Sequence, residues 1–130
     1  MVDNTKMTQY NYPCPCCGNL SFDKEPGSSF LICGNCFWQD DCISLQYAHN
    51  ACGPNKVSLI DAQKNFIDIG AAEQRLVEAA AESRKSIKIN IENGWRPINL
   101  ELDTFVAYDS PNYPENLNTL YYWRDTYWLK

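Results

Sequence analysis

Four cysteines constrain this chain more than any other feature. Cys14-Pro15-Cys16-Cys17-Gly18 is followed, after a fifteen-residue gap from Cys17, by Cys33-Gly34-Asn35-Cys36. Read as Cys14/Cys17 and Cys33/Cys36, the pattern is C-x2-C-x15-C-x2-C, within the spacing of a tetrahedral zinc site. A C-x2-C knuckle suits a metal because the tight turn between the cysteines aims both sulfurs inward. Gly18 offers positive φ just after the first knuckle, and Pro15 fixes the entry of its turn. Four thiolates also close the shell, whereas a catalytic zinc keeps an open position and usually includes a histidine or a carboxylate. We therefore expect one structural Zn²⁺ on Cys14, Cys17, Cys33 and Cys36, and no enzymatic activity.

A chain of 130 residues allows one domain, or one with an appended subdomain. With 45% hydrophobic and 21% charged residues, it has the composition of a soluble globular protein. It lacks the long apolar run of a bilayer span, and MVDNTKMTQY has no apolar signal core. The expected location is the cytoplasm. There thiols stay reduced, so the seven cysteines read as metal ligands and free thiols rather than as a disulfide framework.

The formal net charge is -5, and four thiolates around one divalent cation take it to about -7. The acids are spread along the chain and no segment is basic. That weighs against nucleic-acid binding, which needs cations against phosphates. It suits a cationic protein partner.

The expected fold class is α+β: an N-terminal zinc-ribbon-like knuckle pair and hairpin, then two helices and a small β/aromatic C-terminal subdomain. Residues 1–12 are expected to be frayed, 13–56 to form the zinc-binding module, and 57–130 to pack on it as one domain. Leu20-Ser21-Phe22 and Ser29-Phe30-Leu31-Ile32 flank a turn at Glu25-Pro26-Gly27, which reads as the hairpin. Ser58, three residues before Asp61, starts a helix carrying Leu59, Ala62, Phe66 and Ile69 on one face, and Gly70 ends it. A second helix fits Ala71 to Arg84, burying Ala72, Leu76, Val77 and Ala80. Ile87, Ile89 and Ile91, then Ile98, Leu100 and Leu102, alternate as two paired strands, with Pro97 keeping the second off the centre of a sheet. The aromatic tail from Leu117 to Trp128 fits a helix or a strand.

Other residues carry competing readings. His49-Asn50-Ala51-Cys52 repeats the x2 spacing. With Cys16 and Cys42 it allows a second zinc, or a site joining Cys33/Cys36 to His49/Cys52. Residues 43–56 read as a connector ending at Gly53-Pro54-Asn55, and the simpler reading makes Cys42 and Cys52 small buried fillers, His49 the connector's polar residue and Cys16 a solvent-facing thiol. Asp40-Asp41 could serve acid/base chemistry, but with no neighbouring histidine they read as solvated groups or turn caps.

Tyr12-Pro-Cys-Pro-Cys-Cys-Gly18, Ile32-Cys-Gly-Asn-Cys-Phe-Trp-Gln-Asp-Asp41 and Gly53-Pro-Asn-Lys-Val-Ser-Leu59 together resemble the bacterial cysteine-rich CPCC family, zinc-ribbon-like in kind. Ala62-Gln-Lys-Asn-Phe66 and Ile69-Gly-Ala71 continue the resemblance, which covers about residues 12–72. Gly34 stands where the family usually has proline, and both ligands remain in place. The resemblance implies a zinc-binding domain without an established enzymatic activity.

Residues 95–130 hold nine of the seventeen aromatics, with Arg124 among them. Tyr, Trp and Arg anchor interface hot spots. They read either as a mini-core on the helices or as a docking surface rimmed by Glu101, Asp103, Asp109, Glu115 and Asp125. From size, charge and aromatic content, the expected function is a protein-binding module, most specifically an immunity protein that covers a cationic toxin. The alternative is a nucleic-acid-binding zinc ribbon.

Overall fold

The computed structural model describes residues 10–26, 29–108 and 110–130. Most of the N-terminal stretch expected to fray lies outside them, as do Gly27 of the expected turn and Asp109 of the acidic rim. Tyr12, the last residue of that stretch, opens the first strand.

The fold starts from two chain reversals of the same design. In the first, Gly18 N–H donates to Cys14 C=O at 2.7 Å and Cys14 N–H to Asn19 C=O at 2.8 Å. In the second, Phe37 N–H donates to Cys33 C=O at 2.9 Å and Cys33 N–H to Trp38 C=O at 2.8 Å. Each reversal turns through a residue of positive φ, Gly18 at 81° and Phe37 at 67°. The chain that leaves a knuckle therefore runs back along the chain that entered it. Strand β1 (Tyr12–Pro13) pairs antiparallel with β2 (Leu20–Phe22), and Ile32 bridges Gln39 in the same sense.

This corrects the expected hairpin. Leu20–Phe22 pairs with the entry of its own knuckle, not with Ser29–Ile32. A reversal of this kind brings the flanking residues face to face at once, so each knuckle closes its own ladder.

Helix α1 (Cys42–Gln46) follows the second knuckle, with Asp41 as its N-cap: the carboxylate accepts from Ser44 N–H at 2.9 Å. Helix α2 (Leu59–Ile69) has the boundaries read from the sequence. Ser58 Oγ accepts from Asp61 N–H at 3.0 Å, and Gly70, at φ 80°, stops the helix in the left-handed region. The second helix begins later than expected. Ala71–Glu73 is a bent, non-helical stretch in which Ala72 N–H is drawn to Cys36 C=O at 2.8 Å, and Glu73 is extended. A short 3-10 turn (Gln74–Leu76) then leads into α3 (Val77–Arg84). Ala72 and Ala80 are buried as expected, while Leu76 and Val77 are half-buried.

Past α3 the expected paired strands are replaced. Residues 90–92 join the edge of the first knuckle, through Leu20 N–H to Asn90 C=O and Glu92 N–H to Gly18 C=O, both 2.8 Å. Residues 96–103 fold into a loop closed by Asp103, which pairs with Arg96 at 2.7 Å and accepts from Asn99 N–H at 2.7 Å. A loop pinned this tightly leaves Leu100 and Leu102 exposed instead of aligned in a strand. The tail is neither helix nor strand: a 3-10 turn (Leu117–Leu120) precedes a series of turns.

One core gathers these parts. Phe22, Trp38, Leu45, Leu59, Leu120, Tyr121 and Tyr122 are buried in the same cluster as the knuckle cysteines. Gln63, buried on α2, reaches three partners. Its Nε2 donates to Pro15 C=O and to Tyr122 Oη, both at 2.9 Å, and its Oε1 accepts from Ile98 N–H at 2.8 Å. No helix among the described residues is long and apolar enough to cross a membrane.

Candidate metal centre

The structure brings Cys14, Cys17, Cys33 and Cys36 together. Their sulfurs lie within 4.8 Å of one another, and all four residues are buried. Cys14 Sγ is 3.6 Å from Cys36 Sγ and Cys17 Sγ is 3.7 Å from Cys33 Sγ. A metal held at a zinc–thiolate bond length of 2.3 Å by a regular tetrahedron of sulfurs spaces them about 3.8 Å apart. The two knuckles thus gather four soft donors, and the two pairs that face each other across the knuckles, Cys14–Cys36 and Cys17–Cys33, stand near the edge length such a shell requires.

Two main-chain amides of the second knuckle point at sulfur: Asn35 N–H to Cys33 Sγ and Trp38 N–H to Cys36 Sγ, each at 3.4 Å. Ser21 Oγ lies 3.0 Å from Cys33 Sγ. Donors around a thiolate fix its orientation and spread its charge, the usual role of groups behind the ligands. Ser21 is on β2, and no spacing rule singled it out.

The electrostatics of this pocket favour a cation. Burial pushes the Cys14 and Cys36 thiols up, reinforced by their crowded cysteine neighbours. Burial also acts to raise the Cys33 thiol, but hydrogen bonds from Cys14, Cys17, Cys36 and Ser21 outweigh it and hold Cys33 well below the usual thiol range. Without a metal one thiolate can share the site with protonated neighbours. A divalent ion makes four thiolates compatible with burial.

Tertiary contacts place the first knuckle firmly. Pro15 C=O accepts from Gln63 Nε2 and, at 3.3 Å, from Trp95 Nε1. The Trp95 ring lies so close to Gly18 that a Cβ there would sit 2.5 Å from Cδ2. Glycine is needed at this position for its positive φ and for the close approach of Trp95 alike.

The remaining candidates separate from the site. Cys16, expected to face solvent, is 1% exposed, because the tip of its knuckle is covered by Gln63 and Trp95; burial raises its thiol. Cys42 and Cys52 are half-buried rather than core fillers. His49 is exposed and meets the Phe105 ring edge-on at 5.9 Å. Among the described residues the four-cysteine group is the one cluster of metal-ligating side chains, so His49 and Cys52 join neither it nor a second one. Asp41 is committed to capping α1, and Asp40, buried, accepts from Ser29 Oγ at 3.1 Å.

The C-terminal aromatics divide in favour of the mini-core. Tyr121, Tyr122, Trp123 and Tyr127 are buried, and burial pushes the three phenols up. Trp95, Phe105 and Trp128 are half-buried, whereas Tyr108 and Tyr113 are 58% and 68% exposed. Of the rim carboxylates, Glu101, Glu115 and Asp125 are exposed, while Asp103 is taken by Arg96.

A family model described as cysteine-rich CPCC matches residues 12–86. The match runs past residue 72, where the sequence resemblance was expected to stop, and takes in α3. No curated protein and no solved structure matches the chain.

Proposed function

The chain belongs to the cysteine-rich CPCC family, and from that premise we propose that it is a small zinc-clasped module, non-enzymatic, which works by binding another protein. The observation that carries the metal part is the closed set of four buried sulfurs, spaced 3.6 and 3.7 Å across the two knuckles. A tetrahedral sulfur shell suits zinc or iron, and zinc is the ion proposed because it holds such a shell with no redox demand on its surroundings. The closed shell leaves no position for substrate, and Asp40 and Asp41 are already engaged, which supports the non-enzymatic reading.

Elemental analysis of the purified chain tests this. The expected result is one zinc per chain and no visible absorption. A coloured, iron-loaded protein, or a folded chain with no metal, would overturn it.

Within the protein-binding class we propose an immunity-type protein that covers a cationic toxin. Its support is the acidic balance of the chain, together with the exposed Tyr108 and Tyr113 of the C-terminal region, which also carries the exposed acids Glu101, Glu115 and Asp125. Co-purification from the native host tests it: a stoichiometric basic partner, released by salt, is expected. Recovery of nucleic acid instead, or of no partner, would sink it.

A further inference from the structure

The ladder at the second knuckle leaves one strand edge open. Its two bonds, Cys33 N–H to Trp38 C=O and Asp40 N–H to Leu31 C=O, flank the Ile32–Gln39 pair. In such a pair the N–H and C=O of both residues point away from the ladder. On the Gln39 side the amide of Asn55 satisfies both, donating to Gln39 C=O and accepting from Gln39 N–H at 2.9 Å each. On the Ile32 side neither group has a partner among the described residues. In the first knuckle the position matching Ile32 is Pro13, which has no N–H to offer, and the position matching Gln39 is Leu20, whose N–H is taken by Asn90.

The open edge faces a groove of about 640 Å³ walled by Leu20, Leu31, Ile32 and Ile87. Leu31 and Ile32 are 39% and 52% exposed. Lys24 and Lys88 also line the groove, and neither forms an ion pair among the described residues; Asp23 is its single carboxylate. In a chain of net charge -5, this groove is locally cationic.

We propose that the groove is a strand-addition site for an extended segment of a partner protein in which apolar and acidic residues alternate. The segment's backbone pairs with the N–H and C=O of Ile32. Its apolar side chains cover Leu31 and Ile87, and its carboxylates meet Lys24 and Lys88. Main-chain bonds give such a contact its affinity, and the side-chain pockets and charges choose the partner. The inference rests on the protein-binding reading above, but it uses a different surface from the tyrosines.

The test is an NMR titration of the ¹⁵N-labelled, zinc-loaded chain with two synthetic peptides, Glu-Val-Glu-Val-Glu-Val-Glu and Lys-Val-Lys-Val-Lys-Val-Lys. The glutamate peptide is expected to shift the Ile32 and Lys88 amides and to slow hydrogen exchange at Ile32, and the lysine peptide to do neither. The double variant Lys24→Glu/Lys88→Glu, altered only at exposed side chains, should bind the glutamate peptide about tenfold more weakly. Equal response to both peptides, no response at Ile32, or Ile32 shifts that depend on chain concentration without peptide would overturn the proposal; the last outcome would make the occupant a second copy of the chain. If the peptides leave Ile32 unmoved while a host partner still protects Tyr108 and Tyr113, this inference fails and the protein-binding reading stands. If neither surface responds, both fail.

Discussion

The two knuckles share one hydrogen-bond plan yet are supported in opposite ways. The first turns through Gly18, with Trp95 packed where a side chain would be, and its outer edge is extended by the backbone of residues 90–92. The second turns through Phe37, a bulky residue in the left-handed region, and its outer edge is finished by the single side chain of Asn55. A non-glycine residue there carries about 1–2 kcal/mol of strain. The contrast teaches that the sulfur geometry sets the turn, while the neighbours decide which residue may occupy it. The first knuckle is built into the core by distant chain; the second is finished locally.

The strongest challenge to this comparison removes what the knuckles share. Chelating the metal, or Cys14→Ser or Cys33→Ser, should cost the folded state outright, because site formation and folding are one equilibrium in small metal domains. Loss of near-ultraviolet circular dichroism should be alike for the two serine variants. A chain that stays folded after either would show that one knuckle suffices.

Next in size is Gly18→Ala, expected to destabilise by about 2–4 kcal/mol from backbone strain and collision with Trp95. The mirror change, Phe37→Gly, relieves strain but loses a half-buried ring, so urea unfolding should place it within about 1 kcal/mol of the parent. Equal losses for the pair would erase the asymmetry. Asn55→Ala should cost about 1–3 kcal/mol, since it strips both bonds from Gln39 at a buried position.

The smallest effect concerns the loop of residues 96–103 that Asp103 closes. Burial acts to raise the Asp103 carboxyl, but the Arg96 guanidinium and the Asn99 amide outweigh it and hold it below the usual carboxylate range. A carboxyl lowered by folding contributes stability above its unfolded pKa and loses it as pH falls through the folded value. Asp103→Asn should therefore weaken the chain at neutral pH and flatten the acid limb of its stability profile below about pH 4.

Helix α2 and the cysteine pairing were legible because their signals are local: a serine cap, a glycine stop and two cysteines three apart. The reach of Trp95 to Gly18 was not, since it joins residues far apart in sequence and nothing in Trp95 names its partner. Alternating isoleucines at 87–91 signalled a strand that does not form: a single bridge, Ile91 to Asn19, ties this stretch to the edge of the first knuckle. Nor did Gly53-Pro54-Asn55, read as a connector, reveal that its amide would stand in for a strand. The aromatic tail defeated periodicity because its residues are fixed by contacts to Glu92, Gln63 and Thr104 rather than by a repeat of their own.

The three bonds of Gln63 also bear on how the molecule comes apart. Knuckle, loop and tail each spend a hydrogen bond on the same carboxamide. A fluctuation that frees one strands buried polar groups on the others, so partial opening is penalised and unfolding tends toward a single step. Amide protons as distant as those of Cys14 and Ile98 should then exchange with solvent through one common event, and Gln63→Ala should split that event in two.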